Sequence, residues 1–318
     1  MILEACIFLV WLVVLSWAAD RFVFGASAFA KNIGISPMII GLTIVAMGSS
    51  APEIMVAATA SFNGATDTAV GNALGSNITN IALVLGLTAL LKPLSIASGT
   101  LKKEMPVLLA FSLLAVYLLS DFLLTRVEGI ILISLFFLFI GGLTWMSFNM
   151  ELNDPILSET ESEIPSGVPT SKAILWLVVG MILLPLSAHF MVNSAEIIAR
   201  HFGLSELVIG LTIIAIGTSL PELAACIAGV LKNEDDLVLG NIIGSNIFNI
   251  LAVMAMPGLI APGPIDANAA TRDSYVMLGV TVLLIVFSFN FKGSRRIYRA
   301  EGLCLIACFL GYQAFLFS

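Results

Sequence analysis

Apolar runs of about twenty residues recur along nearly the whole chain, with only short polar breaks between them. A helix needs a run of about that length to cross a bilayer, whereas a transmembrane barrel shows a weaker alternation over about ten residues. The pattern predicts ten helices, over residues 2–30, 37–62, 67–91, 104–120, 127–148, 171–198, 206–231, 237–260, 273–290 and 299–317. The first and sixth are longer than a perpendicular crossing requires, which implies tilt. One substantial polar segment, ELNDPILSETESEIPSGVPTSK, interrupts the series; acidic and rich in Ser and Pro, it reads as a flexible linker. The chain therefore divides into a first five-helix repeat (1–148), a linker (149–170) and a second repeat (171–318).

The two repeats match where the chain is polar. GLTIVAMGSSAPE ends at Glu53 and GLTIIAIGTSLPE at Glu222; the offset of 169 also relates GNALGSNITN (Gly71 to Asn80) to GNIIGSNIFN (Gly240 to Asn249). Residues 34–80 align on 203–249 without a gap, with 20 of the 47 positions identical. Hydrophobicity alone would not preserve those polar residues. A duplicated polar site inside a membrane is how many secondary transporters are built. Because each repeat has an odd number of helices, the two are expected to lie in opposite orientations, related by an axis in the membrane plane.

Composition removes the soluble alternatives. Only 11% of the 318 residues are charged and 59% are hydrophobic, with a mean hydropathy of +1.05. Soluble domains carry about 25% charged residues, so this chain has no polar skin. The loops after odd-numbered helices hold eleven Lys and Arg, and those after even-numbered helices hold three, Arg126, Arg200 and Arg272. The positive-inside rule then places the odd loops and the acidic linker in the cytoplasm and both termini outside. A multi-pass protein of the cell (inner) membrane is expected. The N-terminal run lacks a basic leader and a small-residue cleavage site, so it reads as a first membrane helix. No basic patch suggests a nucleic-acid partner. Cys6, Cys226, Cys304 and Cys308 lack metal-ligand spacing, and His189 and His201 are isolated. A soft-metal centre or a nucleophile–base pair therefore has no support, and no enzyme is expected.

The chemistry concentrates on Glu53 and Glu222. An acidic side chain at mid-bilayer costs about 2.5–3.5 kcal/mol on an insertion scale, and such residues mark ion or proton paths. Neither has a neighbouring Lys or Arg in sequence. Two converging carboxylates without a basic partner form an anionic hole that a cation can fill. Ser49 and Ser50 share a helix face with Glu53, as Thr218 and Ser219 do with Glu222. Pro52 and Pro221 lack an N–H and clash with the preceding turn, while Gly48 and Gly217 loosen it. A broken helix is expected, with carbonyls near Ala46, Ser49, Ala215 and Thr218 available as ligands. Asn72, Ser76 and Asn80 form a polar stripe at i, i+4 and i+8, repeated by Asn241, Ser245 and Asn249. Ser76, Asn80, Ser245 and Asn249 read as ligands. For Asn72, Asn77, Asn241 and Asn246, interhelical hydrogen bonding explains the pattern equally well. Carboxylate, carbonyl and hydroxyl oxygens suit hard ions: calcium takes 6–8 of them, and sodium fits the same oxygens one charge at a time.

GSSAPE with GSNITN, and GTSLPE with GSNIFN, resemble the paired alpha-repeats of the cation/calcium exchanger superfamily, nearest to its prokaryotic sodium/calcium exchangers. The resemblance covers all ten spans and both motifs in order. It implies an all-α polytopic fold with calcium held by Glu53 and Glu222 and by backbone carbonyls of Ser49 and Thr218. It also implies flanking sodium sites of Ala46, Ser50 and Ser76 on one side and Ala215, Ser219 and Ser245 on the other. The long first and sixth helices of the family slide over the other eight. Ser49 and Ala51 depart from the family's usual Thr and Leu. At Asn249 some relatives carry Asp, a pattern that the potassium-dependent branch resembles, so Asn80 with Asn249 argues against a potassium requirement.

The function expected is a secondary antiporter exchanging sodium for calcium by alternating access, electrogenic and without a cofactor. A proton/calcium or other divalent cation exchanger is the alternative, since each Glu can bind a proton. A channel is a further rival, distinguished by flux without a counter-ion. The expected partners are calcium, sodium and membrane lipid; the sequence carries no signal for oligomeric state.

Overall fold

The computed structural model describes residues 2–35, 37–149, 167–201, 215–289 and 295–316. The expected linker over 149–170 falls largely outside the described residues, as does the start of the seventh expected helix, 206–214. The first repeat contributes α1 (Ile2–Ile33), then α2 over residues 37–49, α3 (Ala51–Phe62) and α4 (Thr66–Leu91). After strand β1 (Leu94–Ser95) follow α5 (Ser98–Lys102), α6 (Glu104–Leu119), β2 (Leu123–Leu124) and α7 (Arg126–Asn149). The second repeat has α8 (Thr170–His201), α9 (Ala215–Thr218), α10 (Leu220–Leu231) and α11 (Asp235–Ile260). It ends with β3 (Gly263–Pro264), α12 (Ala269–Ser288), β4 (Arg296–Ile297) and α13 (Arg299–Leu316).

Among the described residues, seven helices are long and apolar enough to cross a membrane, or eight if Gly41–Ser49 and Pro52–Phe62 form one bent span. The helices Glu104–Leu119, with 16 residues, and Leu220–Leu231, with 12, are shorter than those spans. Helices prevail because lipid offers the backbone no hydrogen-bond partner, so each segment must satisfy its own N–H and C=O groups. The only strands among the described residues are two-residue antiparallel ladders, β1 with β4 and β2 with β3, which tie connecting loops together. The molecule is an all-α, multi-pass membrane protein. Its outer helices turn large apolar side chains outward, including Val13, Val127, Phe137, Leu138 and Trp145.

At the centre stand α4 and α11. Every residue of α11 from Leu237 to Val253 is buried, polar and apolar alike, as befits a helix with no lipid face. The two run antiparallel. At one end the Thr66 hydroxyl donates to the Ala261 carbonyl (2.9 Å) and the Asp266 amide to Asp67 Oδ1 (2.6 Å). At the other, the Lys92 ammonium reaches the Val230 carbonyl (3.4 Å) and the Ser95 amide reaches Asp235 Oδ2 (2.9 Å). Small residues let α2 and α11 touch backbone to backbone: a Cβ on Gly41 would lie 2.6 Å from the Leu237 carbonyl oxygen, and one on Gly244 2.7 Å from that of Leu42.

The two 32-residue helices, α1 and α8, pack on each other. A Cβ on Gly25 would lie 2.8 Å from the Leu177 amide, and Trp17 meets Trp176 edge-on at 5.7 Å. Asn32 near the end of α1 donates to the Val168 carbonyl (2.9 Å) beside the start of α8. An ion pair between Asp20 of α1 and Lys232 after α10 (2.7 Å) links this pair of helices to the rest.

Candidate cation-binding site

Both motifs break their helices at the same point. Ser50 has φ −86° and ψ 12°, Ser219 φ −89° and ψ 6°, and in each case a proline falls in the first turn of the helix that follows. Proline tolerates a first turn, where its missing N–H has no partner to lose. The axis bends by 53° between Gly41–Ser49 and Pro52–Phe62. Glu53 and Glu222 therefore sit in the first turns of α3 and α10. There the unpaired N–H groups and the helix dipole favour negative charge. The Ala46 carbonyl accepts the Ser50 amide at 3.0 Å and the Ser49 hydroxyl, more weakly, at 3.4 Å.

The breaks bring the two glutamates into one buried cluster. Glu53 and Glu222 are 0% and 1% exposed, and they lie close enough to repel each other electrostatically. The Ser50 hydroxyl donates across the repeats to Glu222 Oε1 at 2.9 Å, while Thr218 stands beside Glu53. Ser49 Oγ lies 3.5 Å from Ser245 Oγ and 3.2 Å from Asn241 Oδ1, again crossing from one repeat to the other. Ser76, Ser219, Asn80 and Asn249 are all buried. Ala46 is buried as well; Ala215 is described only as the first residue of α9.

The oxygens here are poorly satisfied by the protein itself. Both carboxylate oxygens of Glu53, Glu222 Oε2, Ser219 Oγ and both amide groups of Asn80 and Asn249 are buried without a hydrogen-bond partner. Leaving one such group unpaired costs about 1–3 kcal/mol, and unpartnered carboxylate oxygens are groups that a cation satisfies. All the oxygen donors are hard, the set that suits calcium or sodium. Among the described residues no three of His, Cys, Asp and Glu gather as metal ligands, so neutral oxygens must complete any shell.

The four asparagines with open readings separate. Asn72 donates to the Glu53 carbonyl (3.1 Å), Asn77 to Met277 Sδ (3.4 Å) and Asn246 to the Ile242 carbonyl (2.7 Å). Asn241 instead touches the site through Ser49. Two features were illegible in the sequence. One is π-helical winding over Thr79–Leu85 and Asn249–Val253, which carries both central asparagines. Such widened turns recur at functional sites. The other is Cys226, which accepts a hydrogen bond from Asn241 Nδ2 at 3.5 Å rather than simply filling the core. Cys6 and Cys304 are exposed on the outer faces of their helices.

Similarity to known proteins gives the family. The family model described as "Sodium/calcium exchanger protein" matches residues 3–145 and 172–318, one segment for each repeat. CaxA of Alkalimonas amylolytica is 58% identical over 99% of both chains. The sodium/calcium exchanger MaX1 of Methanosarcina acetivorans is 30% identical, covering 98% of this chain and 97% of its own. The structure of the sodium-calcium exchanger NCX_Mj soaked with sodium and calcium superposes with a TM-score of 0.84 at 32% identity, over 99% of this chain and 98% of that one. The chain belongs to the sodium/calcium exchanger family.

Proposed function

We propose that this cation/calcium exchanger couples sodium entry to calcium exit, and that Glu53 and Glu222 are the charged ligands of its calcium. The observation that carries the reading is the pair of buried carboxylates, one from each repeat, with three of their four oxygens unpartnered. The Ser49 and Thr218 carbonyls complete the calcium site. Ala46, Ser50 and Ser76, and Ala215, Ser219 and Ser245, line the flanking sodium sites, with Asn80 and Asn249 between them. Two negative charges balance one calcium or two sodium ions; an empty pair repels itself, which disfavours crossing unloaded and enforces coupling.

Ten crossings in two inverted repeats fit this reading. The antiparallel course of α4 and α11, equivalent helices by sequence, supports the inversion. So do the two ladders: β1 and β3 stand at positions 169 apart, and each pairs with the loop that follows the fourth helix of the other repeat. The repeats are then 1–148 and 171–318, joined by a cytoplasmic linker over 149–170, with both termini outside. Moving one charge through 100 mV is worth about 2.3 kcal/mol. Exchange of two sodium ions for one calcium gains nothing from voltage, whereas three carry one net charge inward. Electrogenic, potassium-independent exchange is therefore the form proposed.

The test is calcium uptake into liposomes loaded with sodium, potassium or acid and diluted into sodium-free buffer. Uptake driven by sodium alone supports the proposal; uptake driven by the proton gradient without sodium replaces it with proton/calcium exchange. Glu53→Gln and Glu222→Gln should each abolish sodium-driven uptake in folded protein, and retained uptake in either would reject the site.

A further inference from the structure

The repeated asparagines Asn72 and Asn241 stand at equivalent positions and do different work. Asn72 donates to the backbone carbonyl of Glu53 within its own repeat. Asn241 reaches across the repeats to the Ser49 hydroxyl and back to the Cys226 thiol. The position matching Cys226 in the first repeat is Ala57, whose side chain offers no acceptor. Asn241, Ser49 and Cys226 come from α11, α2 and α10, and each is at most 1% exposed.

We propose that Asn241, braced by Cys226, is a positioning residue that turns the lone pairs of the Ser49 hydroxyl into the cation site. This rests on the reading of Glu53 and Glu222 as that site. A side-chain amide has one accepting end and one donating end. With its N–H turned to Cys226 Sγ at 3.5 Å, Asn241 presents Oδ1 to Ser49 at 3.2 Å. Asn241 Oδ1 at 3.2 Å draws the single Ser49 proton away from the Ala46 carbonyl at 3.4 Å and from Glu222, and the oxygen keeps its lone pairs for a cation and for Ser245 at 3.5 Å. Without that acceptor the proton goes wholly to the acceptors it already shares, the Ala46 carbonyl at 3.4 Å, which also holds the Ser50 amide, and the Glu222 carboxylate. One hydroxyl would rotate and one carbonyl would lose its remaining lone pair, so two hard donors leave the site together. Partners that orient metal ligands in this way change affinity by about 10–100-fold when removed.

The measurement is the internal sodium concentration that gives half-maximal calcium uptake into liposomes, because Ala46 and Ser245 line the proposed sodium sites, with thermal unfolding run in parallel. Asn241→Ala is expected to raise that concentration roughly tenfold or more, with maximal uptake retained. In a Ser49→Ala background the same substitution should add nothing, because the hydroxyl it positions is gone. Cys226→Ala should raise the concentration by a smaller factor and Cys226→Ser, which keeps an acceptor, should restore it. These cysteine variants leave Asn241 in place and decide the matter if Asn241→Ala does not fold. An unchanged half-saturation in Asn241→Ala, full additivity with Ser49→Ala, or equal effects of Cys226→Ala and Cys226→Ser would each overturn the proposal. If wild-type protein takes up no calcium on a sodium gradient, the functional reading itself fails, which is a separate result.

Discussion

Ser50 and Ser219 occupy equivalent positions, yet only Ser50 has found a partner. Its hydroxyl donates to Glu222 Oε1, while Ser219 Oγ is buried without a hydrogen bond. The difference separates stability from transport. Ser50→Ala strands a buried carboxylate oxygen and is expected to cost about 1–3 kcal/mol, read as a lower unfolding midpoint in calcium-free detergent. Added calcium should recover most of that loss, because the cation takes up the stranded oxygen. Ser219→Ala removes no hydrogen bond, so the midpoint should move by less than about 0.5 kcal/mol equivalent while sodium-driven uptake falls. Equal destabilisation by the two substitutions would contradict this division.

At the scale of elements, the breaks in the helices and the closeness of α2 to α11 are what hold the oxygens together. Gly244 lies against the backbone of Leu42, so Gly244→Ala must push α2 away. Overpacking of this kind costs about 1–3 kcal/mol, and here it also shifts Ser49 and Ser50, which α2 and its break carry. We expect a lower unfolding midpoint together with weaker calcium uptake. Gly279→Ala on α12 meets nothing within 4 Å among the described residues and should change neither. The prolines act differently. Pro52→Ala restores an N–H to the first turn of α3 and relieves the bar to a continuous helix. Transport is expected to fall without loss of stability, since the 53° bend that aims Glu53 is no longer enforced.

For the whole molecule, ion binding and orientation are the testable quantities. A ligand that binds only the folded state stabilises it by about 2.7 kcal/mol at a hundred times its dissociation constant. Calcium should therefore raise the unfolding midpoint of wild-type protein, and Glu53→Gln should abolish that rise. Sidedness is open to a membrane-impermeant thiol reagent added to intact cells. A cysteine at Asp121, in a loop after an even-numbered helix, should label above the wild-type background, and one at Lys102 should not. Labelling at Lys102 alone would invert the proposed orientation.

Much of this was written in the order of residues. Apolar run length dictated membrane helices, because a backbone in lipid has to bond to itself. The conserved offset between Glu53 and Glu222 exposed the duplication, and Pro52 and Pro221 marked where the helices break, since a ring without an N–H acts locally. Such features depend on neighbours in the chain. What only the tertiary structure decided involves residues far apart: that Ser50 of one repeat bonds to Glu222 of the other, that Asn241 meets Ser49 while Asn72 turns to the Glu53 carbonyl, and that Cys226 accepts a bond from Asn241. Those choices depend on which helix faces lie within about 3 Å of one another. That distance is fixed by small residues such as Gly41 and Gly244 across the packed interface, and a periodic pattern in one dimension does not contain it.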